Sequence, residues 1–192
     1  MKRERIIVAI SGASGSIYGW RLLEKLRDEH PDVETHLILS RSAERTAHLE
    51  LGKLAADFKA LAHQTHPFED IGSTIASGSY QTSAMVIAPC SIHTMSAIAH
   101  GITSNLIVRA ADVMLKERRK LVLMVRESPF HLGHLRTMAS LAEMGAIVAP
   151  PIPGFYNNPQ TVLDLVDHSV DRVLDLIGLP GGNVKRWDGG KA

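Results

Sequence analysis

Short, wholly apolar runs alternate with amphipathic stretches along almost the whole chain. Ile6-Ile7-Val8-Ala9-Ile10, Ala84-Met85-Val86-Ile87-Ala88 and Leu121-Val122-Leu123-Met124-Val125 contain no polar residue, the pattern of strands covered on both faces. Residues 33–40 set Thr35, Leu37 and Leu39 at alternating positions and read as a further strand; residues 146–149 read as another. Between the runs, residues 17–30 keep Leu22, Leu23 and Leu26 on one helical face with charges opposite. Helices are also predicted over 42–51, 53–62, 91–100, 105–118 and 131–144. Residues 63–78 have weak periodicity and read as irregular, with room for one short strand. Pro89 is expected to end the strand before it. A last helix is expected to start near Pro159, where proline is tolerated in a first turn, and to run to about residue 177. Strands alternating with helices imply βαβ units and a mainly parallel sheet in an α/β domain. We place that single domain at 1–178 and a Gly-rich polar tail at 179–192.

Composition narrows the class. The chain has 192 residues, 45% hydrophobic and 21% charged, ordinary for one globular domain with a real core. Lys and Arg number 21 against 20 Asp and Glu, a net charge of +1, which speaks against a nucleic-acid-binding surface. Cys90 is the only cysteine, so an internal disulfide is impossible and a reducing, cytoplasmic setting fits. No apolar run approaches a membrane span. The charged start followed by Ile6 to Ile10 is too short for a secretory leader.

The chemistry concentrates where strands end. Ser11-Gly12-Ala13-Ser14-Gly15 lies between the first strand and the first helix. Small residues there let backbone approach a ligand, and the helix start offers N–H groups and a positive dipole to a phosphate. The glycines fall at 12, 15 and 19, so a strict dinucleotide fingerprint is not met. Pro89-Cys90-Ser91-Ile92-His93-Thr94 repeats the arrangement after a second strand. Arg126-Glu127 ends a third; the Arg suits phosphate or carbonyl recognition and the Glu proton transfer, unless the two form a structural ion pair. Lys116 opens a charged run at a helix end, Tyr156 follows a proline-rich connector, and Arg172 stands among Val170, Val173 and Leu174. His131 and His134 lack an evident third ligand, so no metal site is expected.

Taken with Ala76-Ser77-Gly78-Ser79, Arg109-Ala110-Ala111-Asp112-Val113-x-Leu115-Lys116-Glu117, Gly154-Phe155-Tyr156 and Arg186-Trp187, these motifs resemble the UbiX-like flavin prenyltransferases. That family includes the small second subunits of bacterial hydroxyarylic acid decarboxylase systems. The resemblance implies a three-layer Rossmann-like (flavodoxin-type) fold, a homododecamer, and transfer of a dimethylallyl group from dimethylallyl phosphate to reduced FMN. The prenylated FMN would serve a UbiD-like decarboxylase. It further implies FMN contacts at Gly12, Ala13, Ser14, Ser40, Ser91, Ile92, His93, Thr94 and Arg126. Prenyl-phosphate contacts are implied at Tyr156, Arg172 and Lys116. Glu50 and Glu127 are implied as an acidic pair handling protons around the departing phosphate, without a metal.

The chain departs from the pattern at Ile71, where many members carry Trp, and at Arg136 within His134-Leu135-Arg136-Thr137-Met138, where Glu is usual. Two alternatives stand beside the resemblance: a flavin-dependent cysteine decarboxylase, and a non-catalytic subunit that carries flavin to a phenolic acid decarboxylase. The turn at 89–94 lacks the former's Pro-Ala-Ser-Ala-Asn-Thr pattern.

Overall fold

A computed structural model describes residues 4–182; the Arg186-Trp187 motif lies outside them. Six strands form one sheet, β1 (Glu4–Ile10), β2 (Val33–Leu39), β3 (Gln64–His66), β4 (Ala84–Cys90), β5 (Lys120–Val125) and β6 (Ile147–Val148), in the order β3-β2-β1-β4-β5-β6. Every pairing is parallel. The helices are α1 (Ser16–Glu29), α2 (Arg41–Leu51), α3 (Ala55–Lys59), α4 (Ile92–Ala99), α5 (Leu106–Lys116), α6 (Leu132–Glu143) and α7 (Val162–Ile177).

Two apolar clusters make this a three-layer molecule. Ile6, Val8 and Ile10 face Leu22 and Leu26 of α1 and Val170 and Leu174 of α7. Ile7, Ala9, Met85 and Ile87 face Met95 of α4, Ala110 of α5 and Leu141 of α6. In β2 the alternation does not separate core from water: Leu37 faces the first cluster, Ile38 the second, and Thr35 and His36 are also buried. It separates one helical layer from the other.

Two boundaries differ from the sequence reading. β4 continues through Pro89 to Cys90, with a register shift between Ile87 and Cys90; an irregularity in pairing is where a strand tolerates a residue without an N–H. Pro159 lies outside α7, which begins after Thr161. The Thr161 hydroxyl accepts from the Asp164 amide, and the Asp164 carboxylate accepts from the Thr161 amide. That reciprocal cap satisfies two first-turn donors and outweighs the proline signal. Leu179, at the start of the expected tail, is buried against the first cluster.

β2 also carries a polar cluster. His36 is fully buried, its Nδ1 lies 2.8 Å from His66 Nε2, and its Nε2 lies 3.4 Å from Glu34 Oε1. Burial, then the neighbouring His66, push the His36 imidazole down to about 4. The folded protein therefore binds this proton more weakly than an unfolded chain, where histidine titrates near 6.5. The stability is complete above about pH 6.5 and falls as pH drops toward 4, by about 3 kcal/mol. Urea unfolding at successive pH values checks this, and His36→Gln should flatten the slope across that window.

Candidate functional site

β1 is flanked by β2 on one side and β4 on the other, so the strand order reverses direction there. In open α/β sheets ligands lie beyond the carboxyl ends of the strands at this position. Ser11 builds the floor of that crevice. Its buried hydroxyl donates to Pro89 O at 2.8 Å and accepts from the Ser91 amide at 2.8 Å, tying the turn after β1 to the turn after β4. The Ser40 amide donates to Ile10 O, and the Arg126 amide to Cys90 O. Four strand ends thus form one continuous ledge.

The ledge holds most of the flavin residues expected from the resemblance. Gly12 has no alternative, because a Cβ there would overlap the Ser42 side chain in the first turn of α2. Ser40 caps α2, accepting from the Ala43 amide at 3.1 Å, and its hydroxyl lies 3.1 Å from that of Ser42. Ser91 caps α4, accepting from the Thr94 amide at 3.2 Å and donating to the Thr94 hydroxyl at 3.1 Å. Ile92 and His93 occupy the first turn of α4, whose amides have no acceptor within the helix. Arg126 is exposed at the end of β5, and among the described residues no carboxylate pairs with it. The expected alternative of an Arg126–Glu127 ion pair is not formed; Glu127 Oε1 instead accepts from the Ser128 amide at 2.9 Å.

The start of α1 differs from expectation. Gly15, at φ 100°, occupies the capping position, and no side chain caps the helix there. The Glu50 carboxylate arrives from α2 and accepts from the amides of Gly15 (3.0 Å) and Ser16 (2.9 Å). Burial acts against its charge, but hydrogen bonds from the Ser14 hydroxyl and from those amides prevail and hold Glu50 below the usual glutamate range. The anion at this helix start is part of the protein. The start of α4, by contrast, has no carboxylate on its first amides among the described residues and is left open to a ligand phosphate.

Tyr156 and Arg172 form a second cluster. The Tyr156 hydroxyl lies 3.0 Å from His168 Nε2. His168 and Arg172 are four residues apart on α7 and therefore share one helical face; Arg172 pairs with Asp175 at 2.8 Å. Among the described residues, no hydrogen bond or ion pair joins this cluster to the ledge. Lys116 is not brought to either group. It pairs with Glu117 beside Gly78 at the end of α5, next to the start of β5, whereas Arg126 follows the end of that strand. At ~3.3 Å per residue the strand alone separates them by ~17 Å. Ile71 is exposed, as is Arg136.

Ser11 was read only as part of its turn, with no role of its own, and Ser42 and His168 are absent from the residues selected by sequence. Ser11 had a signal, a small hydroxyl directly after a fully apolar strand. His168 also had one, standing one helical turn before Arg172. Ser42 had none, because its role depends on the approach of Gly12.

A flavoprotein family model matches residues 1–173. The chain is 54% identical over 188 residues to the flavin prenyltransferase UbiX of Escherichia coli K12, covering 97% of this chain and 99% of that one. Among solved structures, AnUbiX (PadA1) in complex with FMN and dimethylallyl pyrophosphate superposes with a TM-score of 0.95 at 43% identity, over 98% of this chain and 99% of its own. The dodecameric FMN-dependent Ubix-like decarboxylase from Escherichia coli O157:H7 superposes with a TM-score of 0.94 at 47% identity, over 96% and 100%.

Proposed function

We infer the reaction from a plain premise, that the chain belongs to the flavoprotein family, among its UbiX flavin prenyltransferases. It transfers a dimethylallyl group from dimethylallyl phosphate to reduced FMN. The observation that carries this reading at residue level is the ledge at the β1/β4 switch, with an open helix start, an Arg126 that no carboxylate among the described residues pairs, and a Gly12 that leaves no side chain in the way.

The residues fit FMN by their donor chemistry. The first-turn amides of Ile92 and His93, the Thr94 hydroxyl and the Ser40 hydroxyl offer donors to its phosphate, while Ser91, bonded to Ser11 and Thr94, fixes the turn that presents them. Gly12, Ala13 and Ser14 offer a low backbone edge to the ring, and Arg126 offers a guanidinium to a ring carbonyl or a second phosphate. Reduced FMN supplies the electron-rich ring that accepts the prenyl carbon. Arg172 and Tyr156 hold the prenyl phosphate, where positive charge and a hydroxyl donor stabilise the anion that develops as the allylic C–O bond breaks. Glu127 gives that leaving group a proton. Glu50, held as a carboxylate, takes up a proton displaced from the ring. Lys116 reaches such a site only from a second copy of the chain, and the dodecameric state of the second structural relative supports that arrangement. We assign the prenylated flavin to a UbiD-like decarboxylase as its user.

No helix among the described residues is long and apolar enough to cross a membrane, and the single thiol, Cys90, is buried; both suit a cytoplasmic setting.

Anaerobic incubation with reduced FMN and dimethylallyl phosphate is the direct test: phosphate release and a flavin heavier by one dimethylallyl unit are expected. Absence of both overturns the reading. Carbon dioxide release from a cysteine-ending peptide would favour the decarboxylase instead. Arg172→Ala removes a charged hydrogen-bonding partner worth ~1.5–3 kcal/mol. It should raise KM for dimethylallyl phosphate about tenfold to a hundredfold and leave FMN affinity unchanged. Equal loss of both would contradict the assignment of Arg172.

A further inference from the structure

Ser11 is 2% exposed, so its hydroxyl lies beneath the crevice rather than in it. The directions of its two hydrogen bonds are fixed by the partners, because an amide only donates and a carbonyl only accepts. The Ser91 amide therefore donates to Ser11 Oγ at 2.8 Å, and the single Ser11 hydroxyl proton goes to Pro89 O at 2.8 Å. The order continues on the far side of the turn. The Ser91 hydroxyl accepts from the Thr94 amide and gives its own proton to the Thr94 hydroxyl oxygen. The Thr94 proton is thereby left for an acceptor other than Ser91.

The two turns that Ser11 joins do not depend on this hydroxyl equally. The Ser11 amide also donates to Pro89 O, at 3.2 Å, and Gly12 stands close against Ser42. The turn after β1 therefore keeps its place when the hydroxyl is removed. The Ser91 amide has no second acceptor among the described residues. Without the hydroxyl that amide is stranded, and its turn leans on the Arg126 amide, which donates to Cys90 O at 3.0 Å from the other side. This is the turn that presents the Ile92 and His93 amides and the Thr94 hydroxyl. We propose that Ser11 is a positioning residue for the flavin phosphate. Its hydroxyl latches the turn after β4 so that the donors at the start of α4 converge on one anion, and the chain thereby prefers FMN to riboflavin. The proposal rests on the placement of the FMN phosphate given above and adds to it the residue that sets the donors in place.

Quenching of flavin fluorescence on the full chain gives dissociation constants for FMN and for riboflavin, and the ratio of the two is the readout. Ser11→Ala should weaken FMN about tenfold, the scale of one oriented hydrogen bond, and leave riboflavin within about twofold of wild type. Ser11→Cys keeps the volume but offers only a weak thiol donor and acceptor. It should lower the preference for FMN in the same way, and it carries the test if the alanine variant does not fold. Ser11→Thr keeps the hydroxyl and should hold the ratio within about twofold of wild type. Crowding by its methyl group would weaken both flavins alike and leave the ratio where it was. In turnover, Ser11→Ala should raise KM for FMN while kcat and KM for dimethylallyl phosphate hold. Equal loss of both flavins in the Ala and Cys variants, a wild-type ratio in both, or a Thr variant as poor as Ala would each overturn the proposal. The ratio needs no turnover. A chain that failed to prenylate FMN would overturn the reaction while the ratio still decided the role of Ser11. A wild-type chain that bound the two flavins equally would overturn the phosphate site, and this proposal with it.

Discussion

Asp171→Ala is expected to destabilise the fold by about 3–5 kcal/mol, among the largest effects available to a single substitution in this chain. Lys25 of α1 and Asp171 of α7 are 4% and 2% exposed and meet at 2.7 Å. Burial opposes the Lys25 charge, and Asp171 keeps it protonated nonetheless. Without that carboxylate the ammonium would remain buried with Glu29, at 3.3 Å, and the more distant Asp167 as its remaining acidic neighbours. The cost comes from the stranded charge rather than from the pair as such. The double variant Lys25→Met/Asp171→Leu should therefore recover most of the loss, to within about 1.5 kcal/mol of wild type. Urea unfolding followed by circular dichroism checks both; a double variant as unstable as Asp171→Ala would contradict the explanation. A functional consequence follows from the geometry of α7. Arg21 pairs with Asp167 one turn earlier, so two ion pairs clamp α7 to α1, and His168 and Arg172 are the very next residues. Loosening the clamp should raise KM for dimethylallyl phosphate before it affects FMN, whose ledge is built from other elements.

The apolar runs placed β1, β4 and β5 directly, because strands buried on both faces have no polar residue to confuse the period; polar, largely exposed β3 and the 3-10 turn at Thr74–Ala76 lie in the stretch read as irregular with room for one short strand. The pattern missed the details decided by competition between local signals. At Pro89 a pairing irregularity absorbed a residue that should have ended the strand, and at Thr161 a reciprocal cap displaced Pro159 as the start of α7. The ledge residues were legible because each follows an apolar run directly, so its place at the sheet edge is dictated by the strand before it. Lys116 was legible as a type but not as a location: its charged run says nothing about which edge of the sheet it stands on, and the edge is the wrong one for a single chain. Asp167 and Asp171 share the four-residue spacing of Arg21 and Lys25, which lets both pairs form once α1 and α7 lie in register, but spacing alone does not say which helices meet. Glu50 was the least legible. Nothing near it in sequence announces that α2 delivers a carboxylate to the start of α1.

That delivery makes Glu50→Gln the variant with the largest expected loss of activity, about 10²–10⁴-fold in turnover. Its role is decided by its charge. The Ser14 hydroxyl and the Gly15 and Ser16 amides hold the carboxyl below its ordinary value near 4.5. A carboxyl lowered in this way is held in its charged form, which suits a proton acceptor rather than a donor. The sign follows for stability as well: a lowered carboxyl favours the folded state above the glutamate range, and that contribution is lost as pH falls through it. Wild-type turnover should accordingly show no loss from Glu50 until pH drops below the usual glutamate range. Gln keeps an oxygen for the two amides, so FMN affinity should survive while proton uptake fails. Glu127→Gln should also bind FMN and lose turnover, but at the step that releases phosphate. Rapid-quench measurement of phosphate and flavin product separates them: Glu50→Gln should release phosphate ahead of finished product, and Glu127→Gln should release neither. Normal turnover in Glu50→Gln would reduce its carboxylate to a cap for α1 and leave the proton to be taken up elsewhere on the ledge.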